Sequence, residues 1–357
     1  MLCYNATRNN SKKVRLNMIN KIEEKLKSTD DVTELNVVKW LPDGEIKGVI
    51  QVAHGITEHA GRYEQFANYF ASKGYVVVVN DIVGHGKSIS DKKNKMYFGK
   101  ENSWFYIVED FHNIYKIYKE KYNNVPYIVL GFSLGSFVVR TFLCMYPEES
   151  IDNVILVGTG CTSNLSLKIG KFVANSEAKK VGEENSTEMI NKLALENYNK
   201  SFEPVKTKCD WLCSNNEALN EYLNDPLVGK DVSCGLFREL LNGMMYSNSI
   251  QNIKKMNKNL KILLVSGKND PVGNFSKGVQ KLVNIYKKVG IDNVFVKFYN
   301  GLIHDIEVAS NNSSTTNEVR INDNTNHNYK LPSLSLLTPT KKNKSGNNNE
   351  VIENNIM

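Results

Sequence analysis

A serine hydroxyl becomes a useful nucleophile only when a base takes its proton and a carboxylate orients that base. The stretch "VPYIVLGFSLGSFVVRTFL" (125–143) offers such a serine. Pro126 to Leu130 read as a short buried strand, and Leu134, Val138, Thr141, Phe142 and Met145 repeat at helical spacing. Ser133 stands on the seam, with Gly131 and Gly135 two positions to either side. A strand that turns at once into a helix strains the residue at the turn, and such strain persists where the surroundings impose it. The flanking glycines leave room for strand and helix to pass. The serine is then thrust out beside the free N–H groups of the helix start. This is the G-x-S-x-G elbow, and a helix N-cap serine beside a turn is the structural alternative.

In a strand–elbow–helix arrangement the acid and then the histidine follow the serine along the chain. Six histidines are present: His54, His59, His85, His112, His304 and His327. Only His304 and His327 follow Ser133, and His327 lies in an Asn-rich tail. His304, in "YNGLIHD" just after a strand-like run, is therefore the candidate base. Asp270 in "KILLVSGKNDPVG" is the candidate acid, and a turn-capping Asp before proline is its structural alternative. Asp305 is the rival acid, but adjacency to His304 gives it poor geometry. An oxyanion hole needs two N–H groups aimed where charge develops. Leu134, after the nucleophile, supplies one, and Ile56, in the loop after His54-Gly55, is placed to supply the other. His54 and His59 read as scaffolding for that loop. "GHGKS" (84–88) fails as a phosphate-binding loop because Asp81 stands where a glycine is required, so it reads as a glycine turn.

Alternation of strand-like and helix-like segments must position these groups. "IKGVIQVAHG" (46–55), "YVVVVND" (75–81) and "NVILVGTG" (153–160) are strand-like. "GRYEQFANYFASKG" (61–74) and "WFYIVEDFHNIYKIYKEKY" (104–122) are helix-like. The rhythm breaks between 161 and 257, where helical patterns occur without an apolar β-branched run. It resumes with "KILLVSGKND" (261–270), "VQKLVNIYKKVG" (279–290) and "NVFVKFYNG" (293–301). The expected fold is α/β: a mostly parallel sheet with helices on both faces and a helical cap insertion. The expected organisation is a basic flexible lead over 1–32, a core over 33–160 and 258–310, a cap over 161–257, and an Asn-rich disordered tail over 311–357.

The net charge of the 357-residue chain is +7, of which the first 27 residues carry +5. No basic stripe interleaved with aromatics runs through the body, so nucleic acid is not the expected partner. No apolar stretch approaches the ~20 residues of a membrane span, and the N-terminus lacks the apolar core of a secretory signal. Six scattered cysteines read as reduced thiols, so a cytoplasmic setting is expected. Cys209 and Cys213 lack two further ligands at finger-like spacing, which argues against zinc. The chemistry calls for no metal and no cofactor. In the cap, Leu236, Phe237, Leu240, Leu241, Met244 and Met245 form an apolar stripe, read either as packing on the core or as the lining of an acyl pocket. Segment 164–180 mixes apolar residues with Lys168, Lys171, Lys179 and Lys180, and reads as a solvated face or as a transient contact with a membrane surface.

Six ordered motifs carry a resemblance: "HGITEHAGRY", "D-x-x-GHGKS", "GFSLGS", "WLCSNNEALNEYLNDPL", "SGKNDPVG" and "YNGLIHD". Together the chain resembles the monoacylglycerol lipase and lysophospholipase group of α/β-hydrolases, also called serine aminopeptidase-like, over about residues 33–305. The resemblance implies Ser133 as nucleophile, Asp270 as orienting acid, His304 as base, and Ile56 and Leu134 as oxyanion donors. It implies that 161–257 is a cap forming the acyl channel, and that the substrate is a monoacylglycerol or lysophospholipid. An aminopeptidase or amidase of the same fold stays open, with Glu183, Glu184, Glu188 and Glu196 as the cap carboxylates it would draw on. So does a non-catalytic binding protein. Two departures stand out: Ile82 and Val83 occupy positions where relatives often carry polar residues, and no amphipathic final helix follows residue 305.

Overall fold

The computed structural model describes residues 20–89, 91 and 95–305, together with the backbone of 320–322 and 328–330. An eight-stranded sheet forms the centre: β1 (Asn20–Lys27), β2 (Glu34–Leu41), β3 (Gly48–Ala53), β4 (Tyr75–Asn80), β5 (Tyr127–Phe132), β6 (Asn153–Val157), β7 (Ile262–Gly267) and β8 (Val294–Tyr299). Its order is β1-β2-β4-β3-β5-β6-β7-β8. β1 and β2 join antiparallel, and every pairing from β4 to β8 is parallel. All six residues of β3, β4 and β5 are buried, as expected of central parallel strands covered on both faces.

One face of the sheet is covered by α1 (Glu64–Ser72), whose Phe70 and Ala71 pack on Val38, Trp40, Ile50 and Val52. The other carries α2 (Ser103–Lys121), α3 (Leu134–Met145) and the apolar side of α9 (Lys277–Lys288), gathered into one large core. Between β6 and β7 the chain builds α4 (Asn164–Val181), α5 (Glu188–Ala194), α6 (Asn216–Asn224), α7 (Cys234–Asn248) and α8 (Ile250–Ile253). α7 lies deep because small residues let it: a Cβ at Gly243 would stand 2.0 Å from the Trp104 ring of α2. Among the described residues no helix is long and apolar enough to cross a membrane.

The N-terminal expectation needs correction. Residues 20–27 are no flexible lead but an edge strand in full register with β2, from Asn20↔Leu41 to Lys27↔Glu34. Ile22, Glu24 and Leu26 turn inward while the lysines stay outside. The inward Glu24 takes the Lys39 ammonium and the Tyr118 hydroxyl, and Glu23 pairs with Lys87 at 2.7 Å. Summing charge over this stretch hides a period-two alternation, because charged residues occupy both faces of it. Residues 1–19 and most of the tail beyond 305 lie outside the described residues, apart from a short antiparallel pair, β9 (Arg320–Asn322) with β10 (Asn328–Lys330).

Candidate active site

Parallel register brings five strand ends to one edge of the sheet. Ala53 pairs with Gly131, Phe132 with Val157, and Gly267 with Tyr299. The loops that follow β3, β5, β6, β7 and β8 therefore open side by side, where open α/β sheets bind ligands.

Ser133 sits between the end of β5 and the first residue of α3 with φ 49° and ψ −116°. This left-handed backbone is unusual for a residue with a side chain. Its cause is the closeness of strand and helix. A Cβ on Gly131 would meet Gly135 O at 2.4 Å, and one on Gly135 would meet Ala53 O at 1.9 Å. The strained turn is tied down when the Ser133 N–H donates to Val157 O (2.9 Å) and Ser136 donates to Ser133 O from both its N–H (2.9 Å) and its hydroxyl (2.6 Å).

Asp270 and His304, 34 residues apart, meet directly: His304 Nδ1 donates to Asp270 Oδ1 at 3.0 Å, with both side chains almost wholly buried. The Val272 N–H donates to the same Oδ1 at 2.9 Å. His304 Nε2, on the far side of the ring, is buried and has no hydrogen-bond partner among the described residues. The ring lies beside the elbow, 5.1 Å from Phe132, and a Cβ on Gly158 would stand 2.8 Å from its Cε1. Burial opposes a charge on this ring. The Asp270 carboxylate, by its charge and its hydrogen bond, outweighs that with help from Asp305 and Glu58, and raises the His304 pKa.

Asp305 points elsewhere, its carboxylate 3.7 Å from the Arg62 guanidinium and its N–H on Leu212 O at 2.6 Å. Ile56 is half-buried, and no acceptor among the described residues takes its N–H. Leu134 opens α3, so its N–H has no intrahelical partner. The cap residues go into packing: Leu236, Phe237 and Leu241 are in the core, with Leu240 and Met244 half-buried against it. Ile82 and Val83 are buried, and the 3₁₀ turn Gly86–Ser88 is held by Asp81, which accepts from the Ala60 (2.6 Å) and Lys87 (2.8 Å) N–H groups.

Sequence reasoning missed an aromatic pair beside the histidine. Trp211, from the insertion, lies 5.1 Å from the His304 ring, and Tyr198 lies tilted against Trp211 with ring centroids 4.8 Å apart. The motif "WLCSNNEALNEYLNDPL" opens on that tryptophan, the one signal that could have found it. Glu58, Arg62 and Tyr63 of "HGITEHAGRY" form a second cluster: Glu58 accepts from the Gly55 N–H (3.0 Å), the Tyr63 hydroxyl (3.1 Å) and Arg62 Nε (3.3 Å). The insertion grips the same loop. Tyr222 bonds the Thr57 hydroxyl, Gly229 donates to Thr57 O at 2.9 Å, and His59 Nε2 donates to Asp225 at 2.8 Å.

A buried imidazole fixed by a carboxylate beside a strained serine is an arrangement suited to moving a proton on and off a hydroxyl. Comparison with known proteins agrees with the fold that carries it. The family described as serine aminopeptidase, S33, matches residues 44–309. A monoacylglycerol lipase of Mycolicibacterium smegmatis is 38% identical over 110 residues, which is 31% of this chain and 37% of that protein. The human monoglyceride lipase is 25% identical over 274 residues, 74% of this chain and 78% of that protein. Among solved structures, a thermostable carboxyl esterase from Bacillus coagulans in complex with glycerol superposes with a TM-score of 0.74 at 25% identity, covering 81% of this chain and 93% of that one. The chain belongs to the serine aminopeptidase, S33, family of α/β-hydrolases.

Proposed function

We propose that the protein is a serine carboxylester hydrolase acting on monoacylglycerols or lysophospholipids from the cytoplasm. The observation that carries this reading is the His304–Asp270 pair, whose ring lies 5.1 Å from Phe132, the residue before the strained Ser133, and whose Nε2 has no hydrogen-bond partner among the described residues. Ser133 Oγ attacks the ester carbonyl carbon while His304 Nε2 takes its proton, and Asp270 holds the imidazolium through Nδ1. The carbonyl oxygen, now negative, rests on the Ile56 and Leu134 N–H groups. Collapse breaks the bond to the alcohol oxygen, which leaves with the proton from His304. Water then attacks the acyl-enzyme by the same relay and releases the fatty acid.

Support for a lipid substrate comes from the insertion. α4 exposes Leu165, Ile169 and Phe172 at 71%, 57% and 75%, one turn apart on one stripe, with Lys168 beside them. Such a face suits the boundary of a lipid surface. In the acyl site we place Leu236, Phe237, Leu240, Leu241 and Met244, of which the half-buried Leu240 and Met244 retain surface to offer a chain. An aminopeptidase needs carboxylates free to hold an α-amino group. Of the four cap carboxylates, Glu183, Glu188 and Glu196 are instead paired with Arg238 (3.0 Å), Lys192 (2.5 Å) and Lys208 (2.8 Å), which leaves Glu184 alone for that role. Side-by-side turnover of 1-monoacylglycerol, lysophosphatidylcholine and aminoacyl anilides tests the proposal. Ser133-dependent hydrolysis of the lipids is expected, and preference for the anilides would overturn it.

A further inference from the structure

One peptide group decides whether the Ile56 N–H can serve a developing oxyanion: the Gly55–Ile56 unit, whose C=O and N–H point in opposite directions in a trans peptide. Its carbonyl is held by a side chain. His54 Nδ1 lies 2.7 Å from Gly55 O, which also takes a longer bond from the Glu58 N–H at 3.4 Å. On the other side of the ring, His54 Nε2 is 2.9 Å from the Ile82 backbone nitrogen. A backbone N–H can only donate, so Nε2 must be the bare nitrogen and Nδ1 must carry the proton. The tautomer that gives Gly55 O a donor is thus selected by an amide 28 residues away.

The geometry points to His54 as a positioning residue: as a neutral Nδ1–H imidazole it clamps Gly55 O and so aims the Ile56 N–H at the oxyanion site. The assignment rests on the esterase reading of the site and deepens it. The surroundings fit the role. His54 is wholly buried, and burial pushes its pKa down to about 4, which keeps the ring neutral. His85 packs 5.2 Å away and donates from Nδ1 to Val83 O at 3.0 Å, lying against Phe98 on its other side. The far end of the Gly55 residue is fixed too, since its N–H goes to Glu58. Neither bond involves the reacting atoms, so His54 acts only through the peptide that it orients.

The test compares His54→Asn with His54→Gln. An asparagine amide reaches the place of Nδ1 and keeps the donor to Gly55 O, whereas a glutamine amide reaches the place of Nε2 and abandons it. His54→Gln is expected to lower kcat for a soluble p-nitrophenyl ester about 30- to 100-fold with KM changed less than about threefold. An aliphatic trifluoromethyl ketone forms a reversible Ser133 adduct whose oxyanion occupies the hole, and its affinity should weaken by the same factor. His54→Asn should recover most of both losses. Equal behaviour of the two variants, folded by circular dichroism, would overturn the assignment. If the variants do not fold, the wild-type protein answers: ¹⁵N-histidine correlations should show His54 as the Nδ1–H tautomer at pH 7, and an Nε2–H or charged ring overturns it. Failure of the esterase reading itself looks different, because the wild-type protein would then show no Ser133-dependent turnover at all.

Discussion

Gly135→Ala tests the elbow at its tightest point. A methyl group there would stand 1.9 Å from Ala53 O, 2.4 Å from Ala53 C and 2.7 Å from His54 O. Contacts of this kind do not persist below 3.0 Å, so α3 and the end of β3 must separate by about 1.1 Å or more. Every obstructing atom is backbone, and β3 is hydrogen-bonded on both sides, to β4 and to β5, so neither partner can give by rotating a side chain. Overpacking of this severity costs about 3 kcal/mol, the upper end of the usual range. The same shift separates the Ile56 loop from Ser133, and a misplacement of ~1 Å can cost about 100-fold in rate. Gly170→Ala in α4 is the control. Its Cβ would meet only the movable end of Leu241, at 3.0 Å, and alanine favours a helix interior by about 1 kcal/mol. Urea unfolding should show Gly135→Ala destabilised by about 3 kcal/mol and Gly170→Ala within about 1 kcal/mol of wild type. Turnover of a p-nitrophenyl ester should fall about 100-fold in the first and stay within threefold in the second. A Gly135→Ala protein with wild-type midpoint and kcat would refute the packing argument.

Other outcomes follow from the charges. Because the raised pKa of His304 must be passed before the ring can act as a base, the acid limb of kcat/KM should have its midpoint above 6.5. In Asp270→Asn the main influence raising that pKa is gone and only Asp305 and Glu58 still oppose burial, so the limb should move to lower pH while kcat falls on the order of 10³-fold or more; an unmoved limb would contradict the pairing. Burial pushes the His85 pKa down to about 3, so the unfolded chain takes a proton near pH 6.5 that the native protein refuses, and this stability is lost as pH falls below 6.5. The stability gap between wild type and His85→Gln should therefore narrow by about 2 kcal/mol between pH 7 and pH 5, and a constant gap would refute it. Phe172→Glu should lower hydrolysis of vesicle-borne monoacylglycerol about 30-fold relative to a soluble ester, since it removes an exposed apolar ring worth about 2 kcal/mol when buried; an unchanged ratio would argue against contact through α4.

Much of this architecture was legible because central parallel strands are apolar on both faces. "YVVVVN" and "YIVLGF" announce themselves as strands whatever surrounds them. Ser133 could be found because glycine spacing records a backbone collision, and chain order left His304 as the one histidine after it outside the Asn-rich tail. β1 was hidden because its inward Glu24 is satisfied only by Lys39 and Tyr118, residues 15 and 94 positions away. Trp211 and the Glu58–Arg62–Asp305 cluster were hidden for the same reason. Trp211 depends on where the insertion folds back, Asp305 reaches Arg62 across two loops far apart in the chain, and no local period encodes either. The exposed stripe of α4 was visible as Leu165, Ile169 and Phe172, but only the packed structure separates it from the buried Leu167 and Ala174.

The central claim is that Ser133 attacks and that His304 and Asp270 activate it. The most direct measurement is to label the protein with a fluorophosphonate and locate the adduct by peptide mass spectrometry in wild type, Ser133→Ala and His304→Ala. A single adduct on Ser133 is expected, absent in Ser133→Ala and formed at least about 100-fold more slowly in His304→Ala. Labelling of Ser133→Ala at the wild-type rate, or an adduct mapped to any other residue, would contradict the account.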